Sequence, residues 1–344
     1  MKQITSLLAL LILTTGVTVA QVTLSEKRER DRVYNQGIEL IQNGDVYAAS
    51  EYFSRCLEID NTFAPAYLQR ARISIDQGLN DAAEGDLDRA LGFDNNLGEA
   101  WFYKGYLVLG TDRSGEALEL FNRAIQLGFE DPFAYYLRGL VHLGEGAETE
   151  ALKDLNKAIE LKPDFAIAYH DRAGIKREVG DYQGALFDYK TATDIDPEFS
   201  LAFNNMGSIK ILMGDYEGGI RDYTRAVELD PDMYLAYNNR GCARYQMGDY
   251  EAALEDFNLA VLLYGSFSVA KMNKANTLAK QNDFETALEL LNETITEQTE
   301  EALLFVNRGL IRELTGDKKG ACSDWQKAYE LGYTGVAEYL EECN

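Results

Sequence analysis

Few residues in this sequence are suited to metal or nucleophilic chemistry: it has four cysteines and two histidines. His142 and His170 are isolated, and no Cys or His spacing matches a metal site. The sequence also lacks a glycine-rich phosphate loop, a zinc-peptidase helix and a nucleophile elbow. We therefore expect no enzymatic activity, no metal and no cofactor, and we interpret both histidines as packing or groove residues.

Charged residues recur in a pattern that predicts salt bridges. Five arginines at multiples of 34 residues from one another are each followed 16 residues later by an aspartate. A guanidinium group can bind a carboxylate through two parallel hydrogen bonds, which suits arginine better than lysine in a partly buried site. We interpret these residues as structural rather than as ligand clamps. The pairs are Arg70 with Asp86, Arg138 with Asp154, Arg172 with Asp188, Arg240 with Asp256, and Arg308 with Asp324.

These pairs recur because the sequence itself repeats. A shift of 34 residues aligns the chain on itself without a gap from Arg30 to Gly335. Positions 8 and 20 of each repeat are always Gly or Ala, which lets two helices approach closely, whereas position 24 is always large and apolar. Glycine fills most turns between the helices, with Asp112 and Asn282 replacing it. The nine repeats are 30–63, 64–97, 98–131, 132–165, 166–199, 200–233, 234–267, 268–301 and 302–335.

This pattern resembles the tetratricopeptide repeat (TPR). The resemblance implies an all-α fold, a right-handed α-solenoid superhelix of nine helix-turn-helix repeats whose first helices line a concave groove. Residues 336–344 continue as a first helix without a second one. We expect them to form a capping helix, because an array must cover its last apolar face.

The implied groove has two kinds of lining. We expect positions 2, 5, 9 and 12 of the first helices to face it, which in the first four repeats gives an apolar and aromatic stretch that includes Tyr34, Leu68, Phe102, Tyr106 and Tyr136. From the sixth repeat onward, position 6 is always asparagine, giving the row Asn205, Asn239, Asn273 and Asn307, with Asn204 and Asn238 beside it. Side-chain amides can satisfy the backbone of an extended peptide. The row is similar to the asparagine ladder of superhelical TPR domains, although local packing would also explain it.

Two cysteines near the end predict a disulfide. Cys322 lies in the ninth repeat and Cys343 in the capping segment, 21 residues later. In an oxidising compartment a bridge between them would hold the cap in place. Cys56 and Cys242 lie six repeats apart at positions for small residues, so we expect buried free thiols.

Charge and the first residues limit location and partners. Residues 1–20 are typical of a cleaved signal peptide, with an uncleaved anchor as the alternative, and residues 21–29 form a lead-in. No later stretch could cross a membrane. The net charge of −24 disfavours nucleic acid and anionic lipid; it indicates a solvated outer face or a basic partner.

The sequence thus predicts an exported, periplasmic or secreted, scaffold that holds a polypeptide segment in its groove. The alternative is a structural subunit of an envelope or secretion assembly that binds through its convex face or its ends.

Overall fold

The computed structural model describes residues 22–343, so the predicted signal peptide at residues 1–20 lies outside the described part. The chain divides into two compact units after Val141. Between residues 22 and 343 there are nineteen α-helices, two short 3₁₀ helices and no strand. The predicted all-α fold is therefore confirmed.

The first unit contains α1 to α6 and the start of α7, and each repeat packs its two helices against each other. The helices are α1 (Leu24–Gln42), α2 (Val46–Ile59), α3 (Ala64–Asp76), α4 (Asn80–Phe93), α5 (Gly98–Val108), α6 (Ala117–Gln126) and α7 (Pro132–Gly144).

The second unit continues the pairing of helices, with α9 packed on α10, α11 on α12, and so on to α17 on α18. The helices are α8 (Glu148–Leu161), α9 (Ala166–Glu178), α10 (Tyr182–Ile195), α11 (Ser200–Leu212), α12 (Tyr216–Leu229), α13 (Tyr234–Gln246), α14 (Tyr250–Leu263), α15 (Ser268–Lys280), α16 (Phe284–Glu297), α17 (Ala302–Leu314), α18 (Lys318–Glu330) and α19 (Ala337–Glu341).

The core of each helix pair is built around position 24. The side chains there, from Phe53 in α2 to Trp325 in α18, are at most 3% exposed. In the seventh repeat, a Cβ atom on Gly241 would lie 2.7 Å from Phe257 Cε1. A larger residue at position 8 would therefore displace the aromatic ring, which explains why that position stays small.

Local signals fix where the second helices begin. In six repeats an aspartate at the N-cap, such as Asp249, accepts a hydrogen bond from the backbone N–H three residues later. The preceding turn needs a left-handed residue, which Gly248 provides with φ of +81° and Asn282 with φ of +64°.

The third repeat turns differently from the prediction. We expected Asp112 to replace the turn glycine, but Gly110 adopts the left-handed conformation instead, with φ of +75°. As a result α5 ends early, at Val108, and a 3₁₀ turn at Ser114–Glu116 precedes α6. A glycine two residues before the usual turn position provides the left-handed backbone more easily than aspartate does.

The C-terminal cap is shorter than the expected helix over 336–344, consisting of a 3₁₀ turn at Thr334–Val336 followed by α19. Val336 is fully buried, and the Trp325 and Tyr339 rings stack with centroids 4.8 Å apart. The structure joins Cys322 and Cys343 in a disulfide with Cα atoms 5.7 Å apart. The cap thus covers the last core both by packing and by a covalent link.

Candidate polypeptide-binding face

Four of the predicted arginine–aspartate pairs form close ion pairs inside their repeats. The N–O distances are 2.6 Å for Arg70 with Asp86, 2.7 Å for Arg172 with Asp188, 2.7 Å for Arg240 with Asp256, and 2.5 Å for Arg308 with Asp324. In each pair Nε and Nη2 both bond the carboxylate. These arginines are therefore occupied by the fold and are not available as ligand clamps.

The two residues of the fifth predicted pair lie in different units. Arg138 belongs to the first unit, where its Nη1 donates to Asn122 Oδ1 at 2.8 Å. Asp154 belongs to the second unit, where His142 Nε2 lies 3.9 Å from its carboxylate. His142 is thus placed beside a structural aspartate.

Each of these arginines also reaches the helix before its own repeat. In the second unit Nη1 of Arg172, Arg240 and Arg308 donates to a polar side chain on the preceding second helix at 2.6 to 3.1 Å. The guanidinium group also lies over the aromatic ring three residues earlier, for example 5.4 Å from the Tyr237 centroid. One arginine therefore holds three helices together.

A cation at position 11, which was not predicted from the sequence, lies beside the aspartate in four repeats of the second unit. Lys176, Lys210, Arg244 and Arg312 lie 2.6 to 2.9 Å from the aspartate of their own repeat. All stand at position 11, which carries a cation or histidine in every repeat of this unit that has the aspartate, so the signal was available. Among the described residues Asp222 forms an ion pair with Lys210 alone, because Met206 replaces the arginine of the other repeats. Burial raises the pKa of the Asp222 carboxyl.

The amide row, defined as Asn205, Asn239, Asn273 and Asn307, lies half-buried in the second unit. Each Nδ2 donates to the position-5 side chain of the preceding repeat. The acceptors are His170 Nε2 at 3.0 Å, Asn204 Oδ1 at 3.1 Å, Asn238 Oδ1 at 2.9 Å and Met272 Sδ at 2.9 Å. The amide row thus links consecutive first helices, and His170 is its first acceptor.

The four amides differ in how many of their hydrogen-bonding groups this internal network uses. Asn205 Oδ1 accepts from Asn204 and Asn307 Oδ1 accepts from Asn276. The Oδ1 atoms of Asn239 and Asn273 accept no hydrogen bond from the described residues. Asn273 Nδ2 also lies 3.3 Å from the Cys242 thiol, in a cavity of about 140 Å³, and burial raises the pKa of that thiol to about 11. The thiol is therefore neutral at physiological pH.

The predicted apolar lining of the first unit is wrong for three of its five residues. Leu68, Phe102 and Tyr136 are 4%, 7% and 7% exposed, so they belong to the core rather than to a surface. Position 5 faces the interior of the helix pair: the Phe102 ring lies 5.9 Å from that of Phe121. Tyr34 is half-buried, and only Tyr106 is freely exposed, at 48%.

Position 2, in contrast, is exposed and apolar throughout the second unit. Five consecutive first helices carry an aliphatic side chain there that is 38% to 45% exposed. We call it the aliphatic row: Ile167, Leu201, Leu235, Val269 and Leu303. Residues four apart lie on one face of a helix, so this row runs beside the amide row. Position 2 was expected on the groove, but its aliphatic residues in the second unit were not predicted as a row.

The first unit does not continue the aliphatic row, because position 2 of its repeats holds Asp31, Pro65, Glu99 and the aromatic Phe133. Glu99 occupies position 2 of the third repeat and lies 3.1 Å from Arg72. Burial raises the pKa of the Glu99 carboxyl even though this guanidinium opposes the shift. The aliphatic row is therefore a property of the second unit.

Within residues 22–343 no cluster of three or more His, Cys, Asp or Glu side chains could hold a metal ion. None of the helices in this range is long and apolar enough to span a bilayer.

Comparisons with known proteins agree with the repeat architecture. Family models described as TPR repeat or tetratricopeptide repeat match residues 207–248, 234–267, 32–63, 134–165 and 68–134, which together cover more than half of the chain. No curated protein matches the sequence.

Two solved structures share the fold at low sequence identity, and a third is similar to part of the chain. A tetratricopeptide repeat protein from Parabacteroides merdae is 22% identical with a TM-score of 0.56, covering 72% of this chain and 96% of that one. The pilF protein of Pseudomonas aeruginosa is 23% identical with a TM-score of 0.53, covering 61% and 96%. YrrB, described as a TPR protein with an unusual peptide-binding site, is 24% identical with a TM-score of 0.49, covering 54% and 96%. The chain belongs to the tetratricopeptide repeat family.

Proposed function

We propose that the protein is a non-enzymatic scaffold that binds a polypeptide segment along the first-helix face of its second unit, outside the cytoplasm. The observation that carries the proposal is the aliphatic row running beside the amide row. Exposed aliphatic side chains at one position of five successive helices form an ordered apolar surface. Covering such a surface is favourable by about 25 cal/mol per Å² of apolar area removed from water.

The amide row supplies the polar half of this face. Asn239 donates one N–H to the preceding repeat and keeps Oδ1 and a second N–H, whereas Asn273 donates to both Asn238 and Cys242 and keeps Oδ1. An extended peptide backbone offers N–H and C=O groups that such amides can satisfy whatever its side chains are. The internal bonds hold the amides in place, so they support peptide binding as well as packing.

Site-specific photo-crosslinking in the cell of origin tests the proposed face. A photoreactive amino acid replaces Leu235 in one variant and Leu262, which is 78% exposed on α14, in the control. We expect a protein partner to be captured from the Leu235 position and not from the Leu262 position. Capture from Leu262 alone would contradict the proposal and favour the alternative of a structural subunit bound through another surface.

Export is supported by the pattern of residues 1–20 and by the Cys322–Cys343 disulfide, a bond typical of oxidising compartments. We expect the mature chain to begin at Gln21. Intact-mass measurement of the native protein checks this, and a mass that includes Met1 would rule out cleavage.

A further inference from the structure

A third set of side chains lies close to the aliphatic row in sequence and carries negative charge. It stands at position 33, two residues before the start of each first helix and three residues ahead of the aliphatic side chain. We call it the carboxylate row: Asp164, Glu198, Asp232 and Glu300. The uncharged Ser266 occupies the same position in the repeat between those of Asp232 and Glu300. All five side chains are exposed.

The carboxylates of this row form no ion pair with the described residues. The backbone N–H groups of Glu198 and Asp232 donate to the carboxylates two residues earlier, those of Asp196 and Asp230. The side chains of Glu198 and Asp232 are themselves exposed to solvent. A helix N-terminus attracts negative charge, which would explain the carboxylates alone. It does not explain why an exposed aliphatic side chain stands beside each of them.

The spacing of the rows limits the conformation of a chain that could follow them. Hydrogen bonds such as Asn239 to Asn204 at 3.1 Å join consecutive first helices, so these helices are direct neighbours at an interaxial distance of about 8–10 Å. A polyproline II chain rises about 3.1 Å per residue with three residues per turn, so every third side chain returns to one face after about 9 Å. In a β-strand, by contrast, side chains three apart point to opposite faces.

We infer that the partner segment is an extended cationic chain that presents an apolar side chain to the aliphatic row at every third residue and places Lys or Arg against the carboxylate row. This inference rests on the proposed function and specifies its partner. The net charge of −24 adds long-range attraction for such a segment. The uncharged Ser266 marks one step of the row where the partner gains nothing from a basic residue.

Binding of synthetic peptides to the full-length mature protein, measured by fluorescence anisotropy at low and high salt, tests the inference. The probe is five copies of Leu-Lys-Pro. One control peptide replaces every Lys by Glu, and another has the same composition with all leucines at one end. We expect the probe to bind at least tenfold more tightly than either control. Equal binding of all three would overturn the inference while leaving the proposed function in place.

Protein variants test which rows take part. Leu201→Ser with Leu235→Ser should weaken probe binding about tenfold or more, whereas Leu262→Ser should leave it unchanged. Glu198→Gln with Asp232→Asn should weaken it about two- to tenfold at low salt only, unlike Glu251→Gln with Glu255→Gln on α14. Circular dichroism establishes that each variant is folded. Equal effects in the test and control variants would overturn the assignment of the rows.

A gain of affinity provides a test that misfolding cannot imitate. Ser266→Asp completes the carboxylate row with a residue type that other repeats already carry at this position. We expect it to tighten probe binding about 1.5- to fivefold at low salt and to have no effect at high salt. Unchanged or weaker binding at low salt would contradict the inference. If no peptide binds while Leu235 still crosslinks a partner, the inference fails and the proposed function stands; if Leu235 crosslinks nothing either, both fail.

Discussion

Removing the buried Asp256 carboxylate should strongly destabilise the second unit. Asp256 is 1% exposed and accepts hydrogen bonds from Arg240 Nη2 at 2.7 Å and from Arg244 Nη1 at 2.9 Å. Asp256→Ala leaves two largely buried guanidinium groups without their counter-charge. Breaking a buried ion pair by deleting one partner costs about 3–5 kcal/mol, so we expect a loss of that size in the free energy of unfolding.

Urea denaturation followed by circular dichroism and by the fluorescence of Trp101 and Trp325 measures this loss, from the midpoint and the slope of each curve. Glu255→Ala is the matched control, because Glu255 is the preceding residue on α14 and is exposed. Its effect should stay within about 0.5 kcal/mol. A loss below about 1 kcal/mol for Asp256→Ala would show that the bridge behaves like a surface pair and would refute the reasoning.

Three further predictions follow from contacts described above. Asp222→Asn should stabilise the protein at neutral pH, because the pKa of Asp222 is raised in the folded state. As the pH falls through that raised pKa, the wild type should regain stability relative to this variant. A wild type that loses relative stability on acidification would contradict the shift. Cys343→Ser should cost about 3 kcal/mol for a loop of 21 residues, and labelling of Cys322 and Cys343 in the folded, unreduced protein would show that the bridge is absent. Alanine at all four positions of the amide row removes the four hydrogen bonds donated to the preceding repeat and the other contacts of these amides, so unfolding should become easier by about 2 kcal/mol or more and the affinity for the crosslinked partner should fall; unchanged affinity would limit the row to packing.

The sequence was sufficient to predict the helix pairs because their signals are local and repeated nine times. Small residues at position 8, aspartate N-caps and turn glycines act within one repeat, so each copy tests the same physical requirement. The third repeat shows the limit: Gly110 and Asp112 both stand near the turn, and which one adopts a positive φ depends on how α5 ends.

The candidate site could be predicted only in part, because the 34-residue repeat does not tell which side of a first helix the neighbouring helices cover. Phe102 and Leu201 were both expected on the groove, yet Phe102 is buried against the second helix of its repeat and Leu201 is 43% exposed. The difference arises from the neighbouring helices, whose positions follow from the packing of the whole unit. The asparagines at position 6 form a row on consecutive first helices, whereas Asn204 and Asn238, which were expected beside them on the groove, are only 6% exposed. Their hydrogen bonds to the row depend on distances between repeats.

The distribution of the arginine bridges also determines where the second unit should open first. The eighth repeat has Lys274 and Leu290 where its neighbours have arginine and aspartate. It therefore lacks the arginine bridge that joins three helices in the seventh and ninth repeats. The ninth repeat is in addition closed by a disulfide. In most repeat arrays the ends fray first. Here we expect the helix pair α15 and α16 to exchange its amide hydrogens before the C-terminal pair does, so that opening would begin inside the array.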